Sequence, residues 1–257
     1  MRGIGFAPRD AAAVVDGHAG ASCAAQGPVT SSLVAFDGFG LWAVRASLGA
    51  GATLTWEADH GDEGLYVASG EIRVGTRRCP AGGAVLIEAG VVASVTADAP
   101  ADVVHVGPHD PEPPTGGIHG PPDPGPRSVH VVGPGGTYAA TEPGRDTRMF
   151  ADSTCPTCRI TLFVTGRDGE YTSSRHSHSA DELLYVLRGE IHVGSHRVAA
   201  GDAVAIRAGH RYSFRGDPDG FALLNYRRDA SEQTTDGDIP RLEGGRARGL
   251  TPIDDLR

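Results

Sequence analysis

Glu63-Gly-Leu-Tyr-Val-Ala-Ser-Gly-Glu-Ile-Arg-Val-Gly-Thr-Arg-Arg-Cys-Pro-Ala-Gly-Gly-Ala-Val-Leu-Ile-Glu-Ala-Gly90 is one of two copies of the same text. The other runs from Glu182 to Gly209 and reads ELLYVLRGEIHVGSHRVAAGDAVAIRAG. The two align without a gap at an offset of 119 (182 minus 63), with about 17 of 28 positions identical. Such self-similarity marks two copies of one structural unit. Each copy reads as β structure. Leu-Tyr-Val, a Gly-Glu turn and Ile-x-Val-Gly form a hairpin pattern, and a glycine-led Ala-Val-x-Ile strand follows. Short strands punctuated by glycine predict a sandwich or barrel, not alternating strands and helices.

Working outward, HDPEPPTGGIHGPPDPGPRS at 109–128 is dominated by Pro and Gly, which suits neither a helix nor a central strand. The expected organisation is therefore a first barrel over 1–108, a linker over 109–128 and a second barrel over 129–257. Residues 129–158 precede the second repeat and are expected to pack across the first barrel. The stretch after about 229, SEQTTDGDIPRLEGG, reads as a polar arm.

The chain has 257 residues and a formal net charge of −9, which disfavours binding to nucleic acid. No apolar run reaches the roughly 18–20 residues of a bilayer span, and MRGIGFAPRDAAAVV lacks the apolar centre of a secretion signal. A cytoplasmic location is expected, a small molecule is the expected partner, and a homodimer is left open. All 23 basic residues are Arg, so chemistry that needs a lysine amine is excluded.

The residues with chemical potential lie just before the second repeat, in Tyr171-Thr-Ser-Ser-Arg-His176-Ser-His178-Ser-Ala-Asp-Glu182. His176 and His178 are two apart, so a strand sends both imidazoles to one side. Glu182 adds a carboxylate from the next strand. Two imidazoles and a carboxylate suit one divalent transition-metal ion per chain, Fe, Mn, Ni, Co, Cu or Zn, with positions left open.

HSHSADE followed by LLYVLRG resembles the first motif of the cupin superfamily, and GDAVAIRAGHRYSF resembles the second. The resemblance implies an all-β chain of two tandem cupin (jelly-roll type) barrels with the metal inside, similar to quercetinase-like double cupins. It also exposes departures. Arg207 stands where the second motif has Pro, and Tyr212 stands where it has its last His. His210, two residues earlier, would share Tyr212's face on a regular strand. Three completions stay open for the fourth corner: Tyr212 lining the site as weak ligand or acid/base, His210 as ligand, or water. Tyr212 and His210 are the candidate catalytic residues. In the first copy the offset sets Glu57, Asp59 and Glu63 against His176, His178 and Glu182, which describes a degenerate metal site, with a hard-ion site as the alternative.

Tyr185 and Tyr66 are expected outside their barrels, and Leu184 inside with Phe163 or Phe214. Cys155-Pro-Thr-Cys158 lacks the second pair or suitably spaced His of a zinc finger, so structural thiols, a disulfide and catalytic thiols are the readings weighed. His192 and His196 read as surface or rim residues, and His105, His109, His119 and His130 as solvated. One of Asn225, Tyr226, Arg227 and Arg228 is placed to reach a substrate carboxylate or phenolate, although Arg at a strand end usually faces solvent. An oxygenase acting on a small organic molecule leads the functional readings. A non-redox lyase, isomerase or decarboxylase with Tyr212 as base and a ligand-binding or sensory module stand beside it.

Overall fold

The computed structural model describes residues 3–20, 22–112, 120–152, 154–236, 241–243 and 251–252; His119 lies outside them. Apart from one short 3-10 turn at Arg9–Ala11, every regular element among them is a strand, as the repeat predicts. No helix there is long and apolar enough to cross a membrane.

The first barrel closes two sheets on each other. One runs Ala84–Ile87, Glu63–Ser69, Ala101–Pro108, Leu41–Leu48, Val29–Ala35, Val15–Asp16 in spatial order, and the other Ala24–Gln26, Ala52–Trp56, Ala93–Ala97, Glu71–Val74, Arg77–Pro80. Period-two alternation fills the space between them. Ala52, Leu54 and Trp56 point inward and meet Leu65, Val67, Ile72, Val85, Ile87 and Val95 in one buried cluster.

The second barrel is built on the long strands Glu182–Val193 and Phe214–Arg227, which pair antiparallel. Register shifts between Val186 and Arg188 and between Gly189 and Ile191 bend the first of these. Gly189 (φ +69°) is required there, because a Cβ would lie 2.1 Å from the Gly220 carbonyl oxygen. Gly70, 119 residues earlier, has φ +72° and a Cβ position 2.3 Å from the Pro100 carbonyl oxygen. The repeat therefore keeps glycine at this point for a steric reason that operates twice.

The two barrels exchange strands. Ile4–Ala7 pairs not with its own half but with Ala203–Ile206, Ile4 opposite Ile206 and Ala7 opposite Ala203. Val129–Val132 pairs back onto Ala84–Ile87, Val129 opposite Ile87 and Val132 opposite Ala84. Since 84 and 87 become 203 and 206 at the repeat offset, the same pairing is made twice in opposite directions. The edge strand that follows the linker thus lies on the first barrel, where residues 129–158 were expected to reach.

A third buried cluster fills the seam between barrels, with Leu41, Val106, Ile160, Leu162, Leu183, Tyr185, Leu224 and Tyr226 among its members. Leu41–Leu48 shows why some strands read as unbroken apolar runs: Trp42, Val44 and Ala46 face the barrel interior while Leu41 and Ala43 face the seam. Tyr185 does lie outside its barrel, yet it is only 4% exposed because the other barrel covers it. Tyr226 donates its hydroxyl across the seam to the Asp62 carbonyl at 2.8 Å.

Candidate functional site

His176–His178 is a three-residue strand held at its edge by Tyr212. The His176 and Tyr212 amides and carbonyls exchange two hydrogen bonds of 2.9 Å, so these residues stand directly opposite. Their rings are 4.4 Å apart, and the ring of His178, on the same face, lies 5.0 Å from that of His176. The other edge is covered by Ser231–Thr235, with Thr235 opposite His176 and Gln233 opposite His178. The polar arm expected after 229 therefore begins as a strand over the site.

Glu182, 1% exposed, projects into the same hollow. Its two oxygens face different partners. Oε2 accepts from the Tyr212 hydroxyl and lies 3.5 Å from His178 Nε2, and the Tyr212 hydroxyl is 3.3 Å from that nitrogen. Oε1 accepts from Asn225 Nδ2 at 2.5 Å and from the Arg227 guanidinium. Burial pushes the Glu182 carboxyl toward neutrality, but His178, Arg227 and the Tyr212 hydroxyl outweigh it and hold it well below the usual carboxylate range. The group stays ionised.

Arg227 takes the inward one of its two readings. It is 2% exposed, stacked 5.8 Å over Phe163, and its Nη2 lies 3.4 Å from His178 Nε2. Alternation explains this. Leu223, Asn225 and Arg227 share the inner face of Phe214–Arg227, while Leu224 and Tyr226 face the seam. Counting back from an apolar inward residue would have placed Arg227 inside. Leu184 also lines the interior, as expected, and Phe214 packs against the same cluster beside Tyr171 and Phe221.

His210 and Tyr212 part company. The chain turns over Arg207–His210, with the His210 amide donating to the Arg207 carbonyl at 3.0 Å, so the two-residue period of a strand does not hold. His210 sits against Gly3 in a hollow of about 730 Å³ that it shares with Ile4, Arg175, His196 and Tyr212. Of the two, Tyr212 is the one that hydrogen-bonds to Glu182.

The first barrel holds a different arrangement at the matching place. Tyr212 pairs with His176, but Ala93, its counterpart, pairs with Trp56. The structural offset on this strand is thus 120, and Glu57 and Asp59 are exposed instead of facing inward. Glu63 accepts from Trp56 Nε1 at 2.7 Å and lies 2.7 Å from His105 Nε2. His105 is fully buried, not solvated, and its Nδ1 lies 3.0 Å from His18 Nε2. His60 is pinned between the Gly61 and Val91 carbonyls at 2.7 and 2.9 Å. Tryptophan replaces one imidazole, and Glu63 Oε2 is taken up by Trp56 and His105 while its Oε1 has no hydrogen-bond partner among the described residues.

The second barrel offers the donor types of a divalent-ion site. His178 Nε2 lies 3.5 Å from Glu182 Oε2 and 3.3 Å from the Tyr212 oxygen, close to the corner-to-corner distances around an ion with bonds of about 2.0–2.2 Å, while Tyr212 and Glu182 are hydrogen-bonded directly to each other. Asn225 and Arg227 fix the carboxylate through its other oxygen, as outer partners of metal ligands do.

Residues 162–223 match the family described as Cupin domain. No curated protein sequence matches the chain. Solved structures with a similar fold include a putative glyoxylate-induced protein from Pseudomonas aeruginosa, with a TM-score of 0.62 and 16% identity over 88% of this chain and 89% of that one. Oxalate decarboxylase from Lactobacillus farciminis has a TM-score of 0.66 and 13% identity over 90% of this chain and 88% of its own. Oxalate decarboxylase from Bacillus subtilis, described with Mn(II) centres, has a TM-score of 0.64 and 14% identity over 90% and 79%. At these identities the likeness establishes the all-β cupin fold.

Proposed function

We propose that the second barrel is the active site of a metal-dependent cupin enzyme acting on a small organic anion. The observation that carries this is Arg227 inside the barrel, beside the donor set. A divalent ion held by His176, His178 and Glu182 would share the hollow with a guanidinium that cannot lose its proton. Together they hold three positive charges against the single negative charge of Glu182. A buried site with that excess favours an anionic occupant, and a small carboxylate fits the fork of Arg227.

The ion would supply Lewis acidity to a substrate carbonyl or carboxylate oxygen. The chain's own groups do the rest. Asn225 and Arg227 orient Glu182. Arg227 is placed to release Oε1 for a substrate carboxylate. Tyr212, bonded to Glu182 Oε2 and buried, is the proton carrier at its hydroxyl. The reaction class that uses these parts is a lyase, isomerase or decarboxylase step on a carboxylate substrate. For a decarboxylation, the bond to the carboxyl carbon breaks, CO2 leaves, the electron pair stays on the substrate carbon, and Tyr212 gives that carbon its hydroxyl proton and is reprotonated from solvent. Small acids such as oxalate, the substrate in the names of two similar structures, and glyoxylate head the test panel.

The oxygenase reading keeps one specific support, the two imidazoles and one carboxylate with open positions. Reconstitution with Mn(II), Fe(II), Ni(II) and Zn(II), followed by parallel measurement of CO2 release and O2 consumption, separates the two. Substrate-dependent O2 uptake would overturn the non-redox assignment. Tyr212→Phe is expected to keep the metal and lower turnover by about 10²–10⁴-fold, while His210→Ala leaves both in place. Metal loss in Tyr212→Phe would make the phenolate a ligand instead.

A further inference from the structure

A second group of metal-binding side chains meets far from the barrel interior, at the seam. Glu88 follows the strand Ala84–Ile87 of the first barrel. His130 lies on the exchanged strand, opposite Leu86. Cys155 and Cys158 lie on the loop between Arg145–Asp152 and Thr161–Arg167, two paired strands of the second barrel's sheet. The sequence discounts a zinc site at Cys155-Pro-Thr-Cys158 because no further ligand lies nearby in the chain. The fold supplies two from 25 (155 minus 130) and 67 (155 minus 88) residues away.

Glu88 Oε1, His130 Nε2 and Cys155 Sγ all lie within 4.8 Å of one another. Glu88 Oε1 is 2.7 Å from His130 Nε2 and accepts from the Cys155 thiol at 3.4 Å. Cys158, buried and three residues further along the same loop, is the second sulfur of the motif. A tetrahedral zinc site with bonds of about 2.0–2.3 Å has donor separations of about 3.3–3.8 Å, so small side-chain shifts complete it.

The outer shell is already built. Glu88 Oε2 accepts from the Thr157 hydroxyl at 2.8 Å and from the Ser128 amide at 3.3 Å, leaving Oε1 for the cluster. Arg159, 6% exposed, holds the loop by donating to the carbonyls of Cys155 at 2.5 Å, Cys158 at 3.1 Å and Pro121 at 3.1 Å. That network fixes the loop against the end of the linker. His130, with a side chain 42% exposed, leaves an entry path from solvent.

We propose that Cys155, Cys158, His130 and Glu88 bind a structural zinc ion that ties the first barrel, the exchanged strand and a loop of the second barrel together. The metal content per chain then rises from one ion to two, and only one of them depends on His176 and His178.

The test is anaerobic titration of the reduced, chelator-stripped full chain with Co(II), then Zn(II). One equivalent of Co(II) should give a thiolate-to-cobalt charge-transfer band, which a site of imidazoles and a carboxylate cannot produce. Zn(II) should displace it and protect Cys155 and Cys158 from alkylation. Cys155→Ser should abolish the band, and His130→Ala should weaken Zn(II) binding by at least about 10–100-fold. The cluster of His18, Cys23 and His105 also contains a thiol, so a band unchanged in Cys155→Ser would place the ion there and overturn the proposal. Absence of any such band in the wild-type chain, or equal affinity in His130→Ala, would overturn it too. Wild-type spectra suffice if a variant does not fold.

Discussion

Replacing Arg227 with leucine isolates the charge pair at the centre of the second barrel. The guanidinium and the Glu182 carboxylate are 2% and 1% exposed. Removing one partner of such a pair leaves an uncompensated buried charge and costs about 3–5 kcal/mol. For a chain of 257 residues, each kcal/mol shifts the melting midpoint by about 2–4 °C, so a drop on the order of 10 °C is expected. Arg228→Leu is the control, since among the described residues Arg228 reaches an exposed Asp110 at 3.6 Å and the Glu112 carbonyl, and should cost under about 1 kcal/mol. Arg227→Leu with Glu182→Gln should recover part of the loss, because no charge is then stranded. Divalent metal should rescue Arg227→Leu, by about 2.7 kcal/mol at 100 times its dissociation constant. Denaturant unfolding with and without Mn(II) reads all of these. A loss in Arg227→Leu no larger than in Arg228→Leu would refute the buried pair, and an absence of metal rescue would refute Glu182 as a ligand.

Acid should weaken the first barrel through His18, whose pKa burial, and then His105, lower from 6.5 to about 4. The unfolded chain takes up a proton in that window and the folded chain does not, so stability falls as pH drops from 6.5 to 4, by at most about 3 kcal/mol. His18→Asn should flatten that slope in pH-dependent unfolding. Gly189→Ala should cost several-fold more than Gly75→Ala, because Gly75 (φ +57°) has nothing within 4 Å of its Cβ position and Gly189 meets a carbonyl; equal losses in thermal melts would remove the steric argument. Tyr226→Phe should lower stability by about 1 kcal/mol through loss of the bond to the Asp62 carbonyl, and no change in denaturant midpoint would show that bond to be immaterial.

Much of this fold was written in local pattern. The glycine-punctuated repeat carried the β class, and period-two spacing placed His176, His178 and Leu184 on one inner face. Alternation says which side of a strand a residue takes, but not what lies beyond that side. Tyr185 was correctly set outside its barrel, while the barrel that covers it comes from residues far away in the chain. The same limit left Arg227 between two readings, a group reaching a substrate anion and a strand end facing water. It hid His105, whose partner His18 comes from the N-terminal segment, and it separated Cys155 from Glu88. His210 was misplaced for a local reason: a turn at Arg207–His210 replaced the strand on which the two-residue rule depends. The first barrel's Glu57 and Asp59 moved outward because one residue of slip inverts a strand.

The exchanged strands set a timetable for synthesis. Ile4–Ala7 leaves the ribosome early, but its partner Ala203–Ile206 is made 196 residues later (203 minus 7). At about 5–20 residues per second, that is a wait of roughly 10–40 s. Throughout it, the strand Ala84–Ile87 also lacks its neighbour until Val129–Val132 emerges. The nascent first barrel therefore carries an open sheet edge for part of its synthesis, the kind of edge that other chains can pair with. Slower translation through the linker would lengthen that exposure, so the yield of folded chain should respond to codon choice over residues 109–128 and to chaperones that shield nascent β edges.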